Sequence, residues 1–520
     1  MSATTSWPLL AAAMTLVVAR AAPAQTLQLD FSDKDSRRPV SCRVTFTQAP
    51  RKIAPPRGVL ASGGTILGEA SLLLKPRPGD YTLAASRGIE FADVRGGFQV
   101  ERETEGSFDV AITRTTDMHA EGWYSGDLAS SLPADRLARW AAADAIDLAV
   151  HFPADDSGAK TAPIDPAKAP PNDALPAVWR SYRVASGGEP KDGHTAITLH
   201  PMRQGLGPPA GIGEPDTESG QPPQLAEVLA AVAELPEEDW LVELSDVWGR
   251  NLPLVLAAVE PEAVQVLSHH LQPGDGASLD LAFYNPDPVR FRGSSGLGRL
   301  AEFIYWQMLE AGFETPATAA SHFAADGRTH LGYNRTYVWL DSAQPKSPEA
   351  WLASLHAGQS TVTNGPLLRA KIDGQPPGVP REPTAGAAVP LDLATELTVH
   401  EEVEYLDVLF NGRSIYQARL EDHIRRGNFP PLQIGESGWL MLRVVAARVD
   451  GYGLAMTAPT YYRFGGERRI SRGAVQFFQD WLDRAAADIE SDPAEAAEYA
   501  ALLRASKRFW ARRALEANAP

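Results

Sequence analysis

The chain has 520 residues, which is too many for one ordinary domain, and at roughly 100–200 residues each three or four domains are expected. Hydrophobic residues make up 44% and charged residues 22%, a balance typical of globular rather than disordered proteins. The net charge of -17 argues against nucleic acid or an anionic membrane surface as a general partner, because both select basic surfaces.

Residues 1–24 have the form of a secretory signal peptide. The apolar run of residues 9–18 is too short to span a bilayer, and the small-residue segment Ala22-Pro23-Ala24 follows it. We therefore predict cleavage after Ala24 and export to the periplasm or the extracellular medium; a disordered N-terminus is the alternative. No later stretch is apolar and long enough to predict a transmembrane segment.

Residues 25–118 are predicted to form an N-terminal β domain, similar to a β-sandwich, with a structural or docking role. Residues 40–47 alternate between apolar and polar types, as a half-buried strand does. Cys42 occupies an apolar position of this alternation, which predicts a buried side chain. It is the one cysteine of the chain, so an intramolecular disulfide is excluded.

Residues 119–366 alternate between strand-like and helix-like segments. This alternation predicts a parallel sheet with helices outside it, and ligand sites in such folds lie at the carboxyl ends of strands. Two segments rich in Pro, Gly and Asp, residues 153–176 and 205–223, are interpreted as mobile insertions in preference to lids.

The C-terminal third returns to strands and turns and ends in helices. Residues 367–465, with an Asn411-Gly412 hairpin turn, predict an antiparallel β-sandwich, and residues 466–520 predict a helical tail. The last helix carries a cationic face. We interpret this face as packing on an acidic surface of the same protein, or as complementing the helix dipole. Its members are Arg504, Lys507, Arg508, Arg512 and Arg513.

The segment 122–133 reads GWYSGDLASSLP, in which a short apolar approach leads into Ser-Gly-Asp-Leu. It resembles the first-strand motif W-x-S-G-D-L-H-x-H of the CehA/McbA-type branch of the polymerase-and-histidinol-phosphatase (PHP) superfamily of metallohydrolases. The segment 360–366, STVTNGP, resembles a second motif of the same branch. The resemblance implies a PHP-like (β/α)7 barrel between the two β domains, and a centre of two or three divalent metals that activates water.

The metal ligands of the family are largely replaced in this chain. Ala129 and Ser131 stand where the two first-strand histidines would be. The segment 241–248, LVELSDVW, lies where relatives often carry an acid and a Lys-His pair before a Trp; it keeps Glu243 and Asp246 and has no histidine. His270 survives at a family histidine position, with His269 in place of an asparagine, and His322 stands at a family aspartate position. The candidate cleft residues are Asp127, Glu243, Asp246, His270, His322 and Arg335.

Each candidate also has a structural interpretation. Asp127 can cap the loop that follows it, and Arg335 can satisfy carbonyl or carboxylate oxygens inside the fold. His270 follows His269, and adjacent residues of a strand point to opposite faces, so at most one of the two faces a common site. His322 fits a hydrogen-bonded loop residue. His119, before the first motif, is interpreted as structural, and His151 and His200, which each end a short apolar strand, are geometrically eligible as ligands.

Together these features predict an exported PHP-like protein that has lost most metal ligands. It would be a non-catalytic pseudoenzyme with a binding or structural role towards an unknown ligand or envelope partner. The alternative is a metal-dependent ester or phosphoester hydrolase with a smaller site, in which His270 and His322 bind a single Zn or Mn ion with Glu243, Asp246 or Asp127. A purely structural envelope component is a third hypothesis. Convergence of His151, His200, His270 and His322 on one cleft would favour the enzyme.

Overall fold

The computed structural model describes residues 26–48, 51–52, 55–101, 105–152, 177–184, 194–209, 224–271, 279–324, 329–448 and 451–520. The predicted signal peptide, the insertion 153–176 and most of the insertion 205–223 lie outside these residues.

The first described part is one nine-stranded sheet. Its strands are β1 Thr26–Asp33, β2 Ser41–Gln48, β3 Arg51–Lys52, β4 Ala61–Ser62, β5 Thr65–Glu69, β6 Ser71–Leu74, β7 Gly79–Ser86, β8 Val94–Val100 and β9 Glu105–Ile112. The order is β8-β7-β2-β5-β6-β1-β9, with β3 beside β2 and β4 beside β5. Alternate residues of β2 point inward, so Cys42 is buried as predicted, and burial raises the pKa of its thiol to about 12.

The described residues of the central part form ten strands and five helices. The strands are β10 Trp123–Asp127, β11 Leu148–His151, β12 Ala177–Arg180, β13 Tyr182–Val184, β14 Ala196–Pro201, β15 Trp240–Ser245, β16 Ala263–Leu267, β17 Ala317–Ala319, β18 Arg335–Trp339 and β19 Ser360–Thr363. The helices are α1 Ala134–Asp144, α2 Leu225–Ala233, α3 Leu252–Ala258, α4 Gly296–Glu310 and α5 Pro348–His356.

In the remaining part, the residues that the structure describes form nine strands and three helices. The strands are β20 Leu367–Ile372, β21 Val389–Leu391, β22 Leu393–Thr398, β23 Val403–Phe410, β24 Arg413–Ala418, β25 Leu432–Ile434, β26 Gly438–Ala446, β27 Gly453–Thr457 and β28 Thr460–Tyr462. The helices are α6 Leu420–Arg426, α7 Arg472–Ile489 and α8 Pro493–Glu516. None of the helices in the described part of the chain combines the length and apolarity needed to cross a membrane.

The predicted (β/α)7 barrel is wrong: the described strands of the central part form two open sheets of mixed direction instead. One sheet has the order β13-β14-β15-β16-β17, and the other runs β12-β11-β10-β18-β19 and continues into later strands. β14 is antiparallel to β15, and β18 is antiparallel to both β10 and β19. The error has a physical reason, because burial periodicity locates a strand but is the same for either direction of its neighbour.

The second of these sheets extends past residue 366. β19 pairs with β27 through Thr361 and Thr457, and β26, β23 and β24 then complete a ten-stranded sheet, with β28 beside β26. Two further pairs, β20 with β22 and β21 with β25, contribute to the apolar core that includes Leu368, Val408 and Leu442. The central and C-terminal strands therefore share one hydrogen-bonded sheet.

Helices α4, α7 and α8 enclose the largest apolar core, together with β15 and β16. Trp510 of α8 is fully buried, and its indole N–H donates to the Pro253 carbonyl at a distance of 2.9 Å. Of the predicted cationic face, Arg513 lies over the Phe313 ring and Arg512 pairs with Glu516. Within the described residues no acidic surface covers the rest of that face.

Candidate functional site

Polar side chains collect where β15, β16 and β17 end. Asp246 follows β15, Ser268 and His269 follow β16, and His322 stands three residues after β17. Asp246 and His322 have positive φ values of 55° and 50°, which are uncommon for residues other than glycine. These turns bring the side chains together at one edge of the five-stranded sheet.

Glu243 is the buried centre of the cluster. Its side chain is fully buried, and its Oε2 atom lies 3.3 Å from His200 Nε2 and accepts a hydrogen bond from Gln265 Nε2 at 3.2 Å. The Thr318 hydroxyl donates to the other carboxylate oxygen. Both oxygens of Glu243 are therefore bonded within the protein.

Gln265 connects this carboxylate to His322. The amide oxygen of Gln265 lies 2.7 Å from His322 Nε2 and also accepts from the Ser268 hydroxyl at 2.7 Å. An amide oxygen only accepts hydrogen bonds, so His322 carries its proton on Nε2. Burial lowers the pKa of His322 well below its usual value, so the ring is neutral near pH 7.

Asp246 and His269 form the more exposed edge of the cluster. Arg183 donates to Asp246 Oδ2 at 2.9 Å, and Asp246 Oδ1 lies 3.5 Å from His269 Nδ1 without a hydrogen-bond partner in the described structure. The His269 side chain is 33% exposed and that of Arg183 is 25% exposed, whereas that of Asp246 is 8% exposed. Solvent or a ligand meets the cluster at these three residues, which we call the rim.

His270 lies beside the cluster and is not bonded to it. Its ring packs edge-on against Trp248, with 4.5 Å between ring centroids, and it is only 3% exposed. Neither ring nitrogen has a hydrogen-bond partner among the described residues. Burial lowers the pKa of His270 well below its usual value, so the structure holds an uncharged imidazole there.

Asp127 binds backbone groups. Its Oδ1 atom accepts from the Ser321 and Ala129 amides at 2.9 and 3.4 Å, and its Oδ2 atom accepts from the Gly332 amide at 2.7 Å. The carboxylate thus ties the end of β10 to the loops before and after residues 325–328. Burial raises the pKa of Asp127 to about 6.

Arg335 lies apart from the cluster and faces the N-terminal sheet. Its Nε atom donates to the Gly332 carbonyl at 2.7 Å, and its Nη2 atom donates to the Asp144 carbonyl at 2.8 Å. A Cβ atom at Gly88 would lie 2.3 Å from Arg335 Nη2, so only glycine leaves room for the guanidinium there. Of the six candidates, the structure connects Glu243, Asp246 and His322 and leaves the other three outside the network.

The network also contains residues that the sequence did not single out. The Ser181 hydroxyl lies 2.8 Å from His200 Nδ1, which gives a Ser–His–Glu series with Glu243. Such a series is the relay of serine hydrolases, but all three side chains are fully buried, so no substrate reaches Ser181 in this structure. The available sequence signal was Gln265, a polar residue in an otherwise apolar strand.

The other histidines of the prediction are spread over the fold. His200 and His322 belong to the network, but His151 contributes a backbone carbonyl, which accepts from the Ser181 amide at 3.1 Å. His119 stacks on Tyr124 and lies 2.9 Å from an Asp147 oxygen, at the opposite end of β10 from Asp127. The four ring systems named in the prediction therefore do not face one common cleft.

The donors of the cluster do not fit the two- or three-metal centre implied by the resemblance. Both oxygens of Glu243 accept hydrogen bonds from within the protein, and His322 Nε2 carries a proton that it donates to Gln265, so these atoms are already engaged. In the described part of the chain, no group of three or more His, Cys, Asp or Glu side chains is arranged to hold a metal ion. Ala129 is fully buried in an apolar cluster with Leu148 and Leu241.

Comparisons with known proteins identify neither a family nor a fold for this chain. No family model matches the chain, and no curated protein matches it. Among solved structures, the N-terminal four Ig domains of Dscam1 isoform 8.4 are matched at 8% identity over 87% of this chain and 99% of that chain. The TM-score of this match is 0.12, a value too low to indicate a shared fold.

Proposed function

We propose that this chain is an exported, non-catalytic binding protein related in sequence to the CehA/McbA-type PHP metallohydrolases. The supporting observation is that the acids at the candidate positions are already engaged: Asp127 by three backbone amides, Glu243 by three side chains and Asp246 by Arg183. Acids held this way position a site, and Asp246 Oδ1 is the one oxygen of these three carboxylates without a hydrogen-bond partner in the described structure.

The rim of Arg183, Asp246 and His269 is the binding surface of this proposal. It presents the Arg183 guanidinium and the partly exposed His269 imidazole, and behind them lies the buried Oδ1 atom of Asp246, which has no hydrogen-bond partner in the described structure. That mixture suits a neutral polar ligand rich in hydroxyl groups, such as an envelope polysaccharide, because donors and acceptors alternate over a short distance. The buried network beneath fixes His269 through Ser268.

A metal-dependent ester or phosphoester hydrolase with one Zn or Mn ion is the second candidate. The observation that favours it is the free Asp246 Oδ1 atom 3.5 Å from His269 Nδ1, with the His322 ring 5.1 Å from the His269 ring. In this alternative, the ion is held by Asp246, which the sequence suggested as an oxygen ligand, and by His269, in place of the suggested His270 and His322.

One set of variants separates the two candidates. Purified protein is assayed for esterase and phosphodiesterase turnover with added Zn or Mn, and for retention on immobilised envelope polysaccharide. The proposal expects no turnover above background, and retention that is lost in Asp246→Asn and His269→Ala but kept in the exposed controls Asp35→Asn and His356→Ala. Metal-dependent turnover that disappears in Asp246→Asn would overturn the proposal and establish the hydrolase.

Export is tested separately. Protein recovered from the cell envelope or the medium is expected to begin at or close to Gln25, as N-terminal sequencing would show. Recovery of the mature protein with Met1 intact would contradict the signal-peptide prediction.

A further inference from the structure

Helix α8 has its charges separated along its length. Asp492, at the N-cap, and Glu495 and Glu498 lie at its start, whereas its second half carries Arg504, Lys507, Arg508 and Arg512. The helix dipole accounts for charges in the first and last turns only. Arg504 and Arg508 lie about three and two turns before the end of the helix at Glu516, so the dipole does not explain them.

One exposed face of α8 follows a regular spacing of four and three residues. This face, which we call the α8 stripe, is exposed throughout and lies away from the buried side chains Leu503 and Trp510. A spacing of four and three is the one that places side chains along the line of contact between two helices. The stripe consists of Ala494, Glu498, Ala501, Ala505, Arg508, Arg512 and Leu515.

The basic half of α8 is unfavourable for the isolated chain. Arg504, Arg508 and Arg512 follow one another at intervals of four residues, and like charges at this interval destabilise a helix. Arg512 has Glu516 as a counter-ion, whereas no ion pair within the described residues neutralises Arg504 or Arg508. Acidic side chains from a second molecule would reduce this repulsion. The stripe of a second copy supplies one such side chain, Glu498.

We propose that two copies of this chain associate through their α8 stripes, packed antiparallel about a two-fold axis. An axis between Ala501 and Ala505 sets these small residues opposite each other and lets the two backbones approach. The same axis places Glu498 opposite Arg508 of the second copy, and Arg512 opposite Ala494, next to Asp492. Each contact occurs twice, as in any two-fold interface, so the acidic half of each helix faces the basic half of the other.

The net charge of -17 favours this surface over the rest of the molecule as the place where two copies meet. Two copies repel each other over most of their surfaces, and the basic half of α8 is where that repulsion is reversed locally. An interface of this kind is set by charge pairing and small side chains, so we expect reversible association. The buried face of α8, which packs on α3 and α7, is not involved.

Charge reversal tests the proposal on the full-length mature chain. Sedimentation velocity is measured for the wild type, for Glu498→Arg, for Arg508→Glu and for the double variant that carries both changes. The wild type is expected to form a dimer, each single variant is expected to be monomeric, and the double variant is expected to dimerise again because the pair is restored with its charges exchanged. Arg472→Glu, an exposed arginine at the start of α7, is the matched control and should dimerise normally.

Three results would overturn the proposal. They are a wild type that stays monomeric at the highest soluble concentration, single variants that dimerise as the wild type does, and a double variant that remains monomeric although its circular dichroism is unchanged. Binding of the wild-type monomer to an anionic polymer such as heparin, lost in Arg508→Glu, would assign the α8 stripe to a different partner. The test is independent of the proposed ligand rim.

Discussion

Asp127 shows at the scale of one residue how a carboxyl group can be essential to the fold without acting on a substrate. Its two oxygens accept from three backbone amides that belong to separate segments, and the side chain is completely buried. The folded state raises the pKa of Asp127 from 3.8 to about 6. Its contribution to stability is therefore full below about pH 4 and is lost as the pH rises through about 6.

Asp127→Asn is expected to lower the free energy of unfolding by about 1–3 kcal/mol at pH 5, because the Asn Nδ2 group cannot accept from a backbone amide, whereas the hydroxyl oxygen of the protonated acid can. The difference in the free energy of unfolding between this variant and the wild type should be smaller at pH 8, where the wild type has lost the contribution of the protonated acid. Urea unfolding at both pH values measures this, and the exposed Asp35→Asn variant, which keeps Asp127, should stay close to the wild type at both.

His270 gives the opposite dependence on pH. Burial lowers the pKa of this imidazole, so its stabilising contribution is present above the ordinary value of 6.5 and is lost as the pH falls below it. Leucine needs no hydrogen bond at this site beside Trp248, whereas both ring nitrogens of His270 lack partners among the described residues. We expect the free energy of unfolding of His270→Leu to be about 1–3 kcal/mol higher than that of the wild type at pH 5.

The control for that measurement is His356→Leu, because the His356 side chain is 47% exposed. A variant at His270 that is less stable than the wild type at pH 5 would mean that the imidazole nitrogens do have a bonding partner in solution. That outcome would again favour the hypothesis that His270 binds a ligand.

At the scale of elements, α4 is fixed to the ten-stranded sheet by buried charges. Arg443 of β26 donates to Glu302 of α4 at 2.8 Å and to Asp407 of β23 at 2.7 Å, and the Tyr452 hydroxyl donates to Glu302 at 2.7 Å. The Arg443 guanidinium also lies over the Trp306 ring. Two carboxylates share this one cation, so its removal would leave them buried without a counter-charge.

Arg443→Ala is therefore expected to lower the free energy of unfolding by about 3–5 kcal/mol, the range for breaking a buried ion pair. Arg425→Ala is the matched control, because Arg425 pairs with Asp422 on the surface with its side chain 77% exposed, and such pairs contribute about 1 kcal/mol or less. Thermal unfolding of both variants gives the comparison, and equal effects would contradict the assignment of Arg443 as the anchor of α4.

Elements were predicted well from the sequence, because the signals that define them are local. Leu297, Leu300 and Ile304 recur at helical spacing and lie in α4, Gly312 adopts the left-handed conformation just past its end, and the apolar run of residues 263–267 forms β16. Ser347, a serine that precedes a proline and an acid, caps α5. Strand pairing is not local, however, and the residues of β18 alone do not indicate that it runs antiparallel to its neighbours.

The candidate site was predicted in part for the same reason. The resemblance to the family motifs singled out Asp246 and His322, which both lie at the edge of the five-stranded sheet where the cluster forms. It did not identify Gln265, whose role depends on Glu243 of the neighbouring strand, and it grouped these residues with Arg335, which belongs to the other sheet and binds the Asp144 carbonyl. Contacts between strands decide these roles, and a single sequence does not contain them.

At the scale of the whole molecule, the N-terminal sheet is joined to the rest through polar contacts and through an apolar cluster in which Leu67 of β5 packs with Leu137 and Trp140 of α1. Arg43 binds Asp144 at 2.5 Å, Arg87 donates to the Ala142 carbonyl at 2.7 Å, and Arg139 pairs with Glu69. The sheet has an apolar core of its own, which includes Leu29, Val44 and Leu83. By contrast, β19 of the central part hydrogen-bonds to β27 beyond residue 450.

These two kinds of connection predict different behaviour of fragments. Residues 26–116 are expected to fold alone and to unfold cooperatively, because their main apolar core and their strand pairing are internal. Residues 119–366 are expected to aggregate, because removal of β27 exposes the unpaired edge of β19. Residues 119–520 keep that pairing and serve as the control, which should be soluble. Chemical denaturation and size-exclusion chromatography report both properties. A soluble, cooperatively unfolding 119–366 fragment would show that the shared sheet is dispensable, and that the central strands form a domain bounded near residue 366.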